Sequence, residues 1–312
     1  MNGSSAFFSQ PLPLTSRFAL PSRAMLSPME GIMNRENFFR AALDLNLIDS
    51  WMPPFIGIPK DAVPKTGTLR RRFGLFLESG IPLTVQLLGH DPEALAAASA
   101  ALFRMGVNSV NINCACPSPT VVSSGSGGAV LKNPELLYSI LESIRRTVPE
   151  LCVSVKLRSG FLSAEELPEI MDAVRSGGAH WVIHHFRTVR EMYDPVPRTT
   201  ALRRFSRVRE LLAGQIFFAN GDILSRADAE EYRRECSCDG VAVGRGILRD
   251  PFLLRSILTG QIPSENLRAE FLEKLTSGIP GKHGRHFLME CTKMAYGEDS
   301  PEFRRLLEQN SR

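Results

Sequence analysis

The chain has 312 residues, 43% hydrophobic and 22% charged, with a formal net charge of +4. That length can bury a large core without disulfides and suits one large α/β domain with a small appendage. No apolar run approaches the roughly 18 residues of a membrane span, and nothing reads as a secretory signal, so six cysteines do not imply a disulfide framework.

Residues 1–23 are rich in Ser and Pro, carry Arg17 and Arg23, and contain no acidic residue. They are expected to be a disordered tail, or sequence upstream of a start at Met25; a weak targeting peptide is the alternative. Short apolar segments then alternate with longer amphipathic ones. The strands are expected at Ala24–Pro28, Ser50–Phe55 (poorly defined), Leu83–Leu88, Ser109–Asn113, Cys152–Leu157, Trp181–His184, Ile216–Ala219 and Gly240–Val243. Helices are expected at Pro92–Phe103, at Pro134–Val148 after the Asn133-Pro134 start signal, and at Ser163–Ser176, where Ser163 and Glu166 form a capping box. Two more follow at Thr199–Leu212 and Ser225–Glu235.

Eight apolar strands separated by helices predict a parallel sheet buried on both faces, and eight is the number that closes a (β/α)8 TIM barrel. The barrel is expected over 24–255. Residues 256–312 are expected to form a short helical appendage, with helices near Glu265–Leu275, Arg285–Met294 and Pro301–Glu308.

Active sites of this fold lie at the C-terminal ends of the strands. Polar residues end otherwise apolar strands there: Ser27-Pro28-Met29, Gln86, Asn113, Lys156 with Arg158, His185 with Arg187, Asn220-Gly221-Asp222, and Gly244-Arg245. A buried polar group is costly unless paired or bound to a ligand, so a set in register at one barrel end points to a site. The glycines after the last two strands let backbone N–H groups approach a phosphate, and Arg245 adds a charged fork. Lys156 is placed to hold charge beside a cofactor ring. His184 has the opposite phase to His185 and is expected to face the helix layer.

Cys116 heads a Ser- and Gly-rich loop, Ser118–Gly128, over the barrel mouth. A thiol on such a loop is placed to react, whereas Cys114, nearer the strand, reads as structural. The pairs Cys114/Cys116 and Cys236/Cys238 are spaced too closely for structural zinc, whose ligands usually lie at least two residues apart. Two basic clusters, Arg70-Arg71-Arg72 after Lys65 and Arg203/Arg204/Arg207/Arg209, are either solvated faces or phosphate contacts.

Over roughly 24–296 the chain resembles tRNA-dihydrouridine synthases. The resemblance rests on Asn111-x-Asn113-Cys114-Ala115-Cys116-Pro117-Ser118, then Gly127-Gly128-Ala129 and Leu131-Lys132-Asn133-Pro134-Glu135-Leu136. Val155-Lys156-Leu157-Arg158, His185-x-Arg187-Thr188, Ala219-Asn220-Gly221-Asp222 and Gly244-Arg245-Gly246 follow in order. Pro28-Met29-Glu30-Gly31 and the Cys-x-Cys-Pro make it most similar to the bacterial C-type subfamily, which acts on a D-loop uridine of tRNA.

The resemblance implies FMN as cofactor, NADPH as reductant and tRNA as partner, in a cytoplasmic monomer without metal or membrane. It implies hydride delivery to C6 of a flipped-out uracil and a proton from Cys116 to C5 on the opposite face. It assigns FMN contacts to Ser27, Pro28, Met29, Gln86, Lys156, His185, Asn220, Gly221, Asp222, Gly244 and Arg245. It gives substrate contacts to Asn113, Arg158 and Arg187. The chain departs from the family at Phe186, where a small residue is usual, at Ala115 for Gly, at Asp222 for Glu, across Trp51–Phe55, and in a short, less basic C-terminal tail. The bulk of Phe186 is expected to reshape the phosphate or substrate edge. The competing readings are another FMN barrel acting on a small molecule and a non-catalytic RNA-binding descendant.

Overall fold

Alternation of side chains along each strand sorts the apolar residues into two clusters, and their positions define the architecture. The computed structural model describes residues 7–30, 33, 36–60, 64–276, 289, 292–293 and 299–310. Val85 and Leu87, Val110 and Ile112, Val153 and Val155, and Val241 and Val243 belong to the larger cluster, which they share with the helices. Their strand neighbours Met25, Cys152, Trp181, Ile183, Phe218 and Ala242 form a second cluster on the opposite face. A sheet with helices on one side and its own second face packed on itself is a closed barrel.

The strands are β1 (Leu12–Pro13), β2 (Ala19–Leu20), β3 (Ala24–Leu26), β4 (Ile56–Gly57), β5 (Thr84–Leu88), β6 (Ser109–Cys114), β7 (Cys152–Arg158), β8 (Trp181–His185), β9 (Ile216–Asn220) and β10 (Gly240–Val243). The last eight form one parallel sheet in the order β3-β10-β9-β8-β7-β6-β5-β4, a (β/α)8 barrel as expected. The helices are α1 (Glu36–Asp44), α2 (Thr66–Glu78), α3 (Pro92–Arg104), α4 (Pro119–Ser123), α5 (Pro134–Thr147), α6 (Leu167–Ser176), α7 (Arg198–Leu211), α8 (Arg226–Cys236), α9 (Leu253–Thr259), α10 (Glu265–Thr276) and α11 (Pro301–Asn310). Their starts follow sequence logic: Asp91 and Asn133 cap α3 and α5 ahead of Pro92 and Pro134. Ser163 with Glu166 and Ser225 with Asp228 close capping boxes before α6 and α8.

Two expectations need correction. The second strand is not continuous over Ser50–Phe55. Trp51 makes a parallel bridge to Leu83, and pairing resumes only at Ile56 and Gly57. Pro53 and Pro54 intervene, and a proline has no N–H to give to a ladder.

The second correction concerns residues 7–23, which are folded rather than disordered. β1 and β2 form an antiparallel hairpin. Leu12, Phe18 and Leu20 pack onto Met25, Met52, Trp181 and Phe218, sealing the barrel floor. Phe8 is fully buried against the outer cluster. Each such side chain contributes about 1.5–3 kcal/mol by leaving water, which the polar composition of the segment concealed.

The barrel ends with α9, a few residues beyond the expected boundary at 255. The appendage then packs back on α1: Phe271 of α10 meets Phe38 at 6.2 Å, and Lys274 pairs with Asp44 at 3.0 Å. The expected helix at Arg285–Met294 falls almost entirely outside the described residues.

Candidate active site

The inner face of the barrel has two characters. Toward β3, β8, β9 and β10 it is apolar. Along β5, β6 and β7 it is polar, with Thr84, Gln86, Ser109, Asn111, Asn113 and Ser154 all buried. Each polar residue finds a partner, beginning with Thr84 Oγ1 to Ser109 Oγ at 3.0 Å. Strand parity carries this inner face to the C-terminal ends, so Ser27, Gln86, Asn113, Lys156, Arg158, His185, Asn220 and Gly244 come out on one side. There they line a cavity of about 620 Å³.

Every residue nominated from the sequence lines this cavity except Arg187. Arg187 is buried behind it and forks onto Asp222, at 3.0 Å to Oδ1 and 2.7 Å to Oδ2, while its Nε donates to the Asp194 carbonyl at 2.6 Å. Its guanidinium thus holds the Asp222 loop and is not part of the cavity lining, where the substrate contact was expected.

Phe186 is likewise not a cavity wall. It is fully buried, stacked on His185 at 5.3 Å and edge-on to Phe205 of α7 at 5.8 Å. His184 faces the helix layer as its phase implies, between Phe205 and Phe217, with Ser159 Oγ at 3.1 Å from Nε2. Burial first, then the charges of Arg204 and Lys156, push its pKa down to about 3.

Lys156 is the notable cation. Among the described residues its ammonium has no hydrogen-bond or carboxylate partner, and it faces the cavity. Burial, and next the charge of Arg158, lower its pKa to about 7, with a smaller opposing effect from Cys116. An ammonium left this way gives up its proton more readily than usual, and an anionic group beside it would favour the charged form. Arg158 is fixed more firmly, donating from Nε to the Ala115 carbonyl at 2.8 Å and from Nη1 to those of Thr188 at 2.9 Å and Met192 at 2.6 Å. Burial lowers its pKa to about 10, which still leaves it charged.

His185 accepts the Arg187 backbone N–H at Nδ1, 3.2 Å away. Burial, followed by the charges of Arg158, Lys156 and Arg187, holds its pKa well below the usual value. The ring is therefore neutral, and its remaining proton sits on Nε2 beside Gly221.

Cys116 is half-buried on the cavity wall, held at both backbone ends. Its N–H donates to Asn113 Oδ1 at 3.0 Å, and its carbonyl accepts from Gly128 N at 2.9 Å. A Cβ on Gly127 would lie 2.6 Å from Val121 and 3.1 Å from the Cys116 Cβ, so the glycine pair lets the loop close over the thiol. Cys114 points the other way into the outer cluster, where burial raises its pKa to about 12.

The flavin implied by the resemblance can be tested against these residues. A Cβ on Gly244 would make only ordinary contacts, with Met29 Sδ at 3.8 Å and Asn220 Nδ2 at 3.9 Å. As a glycine lining the cavity it presents bare backbone, which a ligand can approach closely. Arg245 is half-exposed at the rim, bonded to Asp222 at 3.2 Å. Lys156, which lines the same cavity and has no partner among the described residues, could supply positive charge to a ring edge. Polyanion at one end and a ring needing a cation at the other suit an FMN-shaped ligand.

Tyr193 was not apparent from the sequence. It is 53% exposed, lines the cavity, and lies between two guanidinium groups, with Arg158 5.4 Å and Arg245 4.7 Å from its ring centre. Its only signal is an aromatic residue in a turn-rich loop after a site-bearing strand. Phe55, Leu224, Leu248 and Arg249 join it at the mouth.

Of the two basic clusters, the one on α7 is mostly engaged within the molecule. Arg204 holds Glu191 and the Phe186 carbonyl, Arg207 pairs with Glu210, and Arg209 pairs with Asp239. The α2 cluster pairs with no carboxylate among the described residues, and Arg72 donates to the Phe55 carbonyl at 2.7 Å, beside the mouth.

Comparison with known proteins gives three results. The profile of the Dihydrouridine synthase (Dus) family matches residues 25–312. The chain is 36% identical over 239 residues to the tRNA-dihydrouridine(16) synthase of Haemophilus influenzae, covering 74% of this chain and 75% of that one. It is 32% identical over 282 residues to the enzyme of the same name from Cupriavidus necator, covering 85% of each. Among solved structures, the old yellow enzyme from Trypanosoma cruzi superposes with a TM-score of 0.60 at 12% identity, over 85% of this chain and 95% of that one. At that identity the likeness is one of fold.

Proposed function

The chain belongs to the dihydrouridine synthase family, and from that premise and the site's geometry we propose that it is a flavin-dependent oxidoreductase converting uridine in tRNA to 5,6-dihydrouridine. The finer reading takes uridine 16 in the D-loop as target, FMN as cofactor and NADPH as reductant. The names of the relatives support the position. The observation that carries the proposal is the pairing, in one cavity, of a half-buried lysine that has no partner among the described residues with a loop-held cysteine.

The residues lining the cavity would hold FMN, which would supply a hydride for C6 of the uracil. Lys156 would hold positive charge beside the edge of the ring where electron density builds up. His185 offers an Nε2–H from a fixed, neutral ring. Gly244 presents bare backbone beside Met29 and Asn220, and Arg245 and Arg249 place charge at the phosphate end. Ser27, Pro28, Gln86 and the Asn220-Gly221-Asp222 turn complete the cofactor walls.

Cys116 holds the proton at Sγ that passes to C5, so hydride and proton together saturate one C–C double bond. Arg158 and Asn113 line the same wall as Cys116 and orient the base. The bonds from Nε and Nη1 to three carbonyls fix Arg158 in the cavity wall. A base can reach this depth only when flipped out of its stack. The α2 cations beside Phe55 provide a landing site for the tRNA backbone, and the 256–312 appendage a further contact.

An absorption spectrum of the purified protein, with the released flavin identified by mass, tests the cofactor. Bound FMN is the expected result. A colourless protein that cannot be reconstituted, yet binds tRNA, would contradict the enzyme reading in favour of a non-catalytic RNA binder. Turnover of free uracil or orotate would favour a small-molecule flavin enzyme.

A further inference from the structure

The polar half of the barrel interior is a directed chain of hydrogen bonds. Ser154 Oγ donates to the Val110 carbonyl at 3.1 Å, so its oxygen is free to accept Asn111 Nδ2 at 2.8 Å. That turns Asn111 Oδ1 toward Gln86, which must present its Nε2, at 2.8 Å. Gln86 Oε1 is thereby turned to Asn113 Nδ2, at 3.0 Å. Asn113 Oδ1 is then the atom left to accept the N–H groups of Ala115 at 3.1 Å and Cys116 at 3.0 Å. Reversing any one amide would set donor against donor on one side of it and acceptor against acceptor on the other.

The placement matches the register, in which Gln86, Asn111 and Ser154 stand side by side on β5, β6 and β7. All are essentially inaccessible, and none of their polar atoms is left without a partner. A core that needed only packing would carry Val or Leu here, as the outward faces of the same strands do. Three buried amides and a hydroxyl instead specify one arrangement, because a satisfied network is rigid and a broken one strands a buried group.

We infer that Asn111, which does not line the cavity, is a positioning residue that sets the amide orientation of Gln86 and Asn113 and, through them, the place of the Cys116 backbone and thiol. The inference rests on the reading of Cys116 as proton donor. It assigns the first asparagine of the Asn111-x-Asn113-Cys114-Ala115-Cys116 segment a task distinct from the second. Asn113 meets the loop, and Asn111 decides which way Asn113 faces.

The test compares Asn111→Leu, which removes both ends of the relay at similar volume, with Asn111→Asp, which keeps an acceptor for Gln86 Nε2 and offers Ser154 a second one. Two quantities are read on flavin-loaded protein: hydrogen exchange of the Cys116 amide, and steady-state turnover of unmodified tRNA in H2O and D2O. For the Leu variant we expect the amide to exchange about tenfold faster or more. Its kcat falls roughly 10- to 100-fold, the scale of a small misplacement of a reacting group. Flavin reduction by NADPH, scored per bound flavin, stays as in the wild type, and the solvent isotope effect rises because the proton transfer becomes limiting. The Asp variant restores both the exchange rate and kcat.

Wild-type exchange in the Leu variant would overturn the inference, and so would faster exchange with unchanged kcat, or an Asp variant as impaired as Leu. If the Leu variant does not fold, Ser154→Ala breaks the relay one bond earlier and is judged by the same criteria. Cys116→Ala separates the two readings. Wild-type product formation by that variant ends the proton-donor reading, while the exchange data still decide whether Asn111 places the Cys116 backbone.

Discussion

Gly221 lies directly on the ring of Phe186: a Cβ at that glycine would sit 2.7 Å from Phe186 Cε1 and 3.1 Å from His185 Nε2. Gly221 also has φ +116°, a conformation that L side chains rarely adopt. The bulky residue at 186 therefore acts from beneath, fixing the turn that faces the cavity, with Tyr232 Oη on the Gly221 carbonyl at 3.1 Å and Arg187 on Asp222. Gly221→Ala should destabilise the fold by about 2 kcal/mol or more, combining strain and overlap, and should lose FMN on gel filtration. Chemical denaturation and the flavin-to-protein absorbance ratio measure both; a variant matching the wild type in each would refute the arrangement.

Lys156 gives a pH dependence with a definite sign. In the free protein its pKa is lowered to about 7. A cofactor ring accepting its charge raises that value, so the complex binds more protons than the free protein. FMN affinity should therefore fall as pH rises from about 7 toward 9, by at most about tenfold per pH unit. Lys156→Met should bind more weakly at pH 7 and show no such slope. Fluorescence titration across pH measures it, and parallel slopes for the two proteins would rule out Lys156 as the coupled group.

Cys116→Ala should keep its flavin and the reduction of that flavin by NADPH, yet form dihydrouridine at least about 100-fold more slowly, the low end of what a placed proton donor contributes. Rapid mixing resolves the reduction step, and nucleoside mass spectrometry the product.

The two arginine clusters should behave differently. Arg70→Ala with Arg71→Ala should weaken tRNA binding and reduce the slope of log affinity against log salt by roughly 0.7–0.9 per lost phosphate contact. Arg204→Ala should instead cost about 1–3 kcal/mol of stability, because it strips bonds from Glu191 and from the Phe186 carbonyl. Filter binding over a salt series and thermal melts separate the outcomes. An unchanged salt slope for the α2 pair would remove that helix from the docking surface.

Leu20→Ala, at the hairpin under the barrel, should cost about 2–5 kcal/mol, as for any buried leucine. A change below 0.5 kcal/mol or so would mean the hairpin does not seal the floor.

The barrel was legible because helices announce their caps and the outward faces of the strands are largely apolar. Sequence reading reached most of the cavity lining because parity and strand ends suffice to nominate Gln86, Lys156 or Asn220. It failed where long-range partners decide. Arg187 and Arg158 both follow strand ends, and only tertiary contact shows that Asp222 and Asp194 engage the first. The α7 arginines look like a basic face until Glu191 and Asp239, from other segments, are in place. Residues 7–23 look disordered because their few apolar side chains are spaced to fill a floor whose other side chains, Trp181 and Phe218 among them, lie far along the chain. Trp51–Phe55 was ambiguous because Pro53 and Pro54 break the ladder in a strand that continues beyond them.

The most direct test of the central claim is to incubate the flavin-loaded protein with NADPH and an unmodified tRNA transcript, then locate dihydrouridine by mass spectrometry of the digested RNA. The account predicts dihydrouridine in the D-loop, at position 16, and its loss in Cys116→Ala. A protein that holds FMN and is reduced by NADPH, yet forms no dihydrouridine in any tRNA offered, would contradict it.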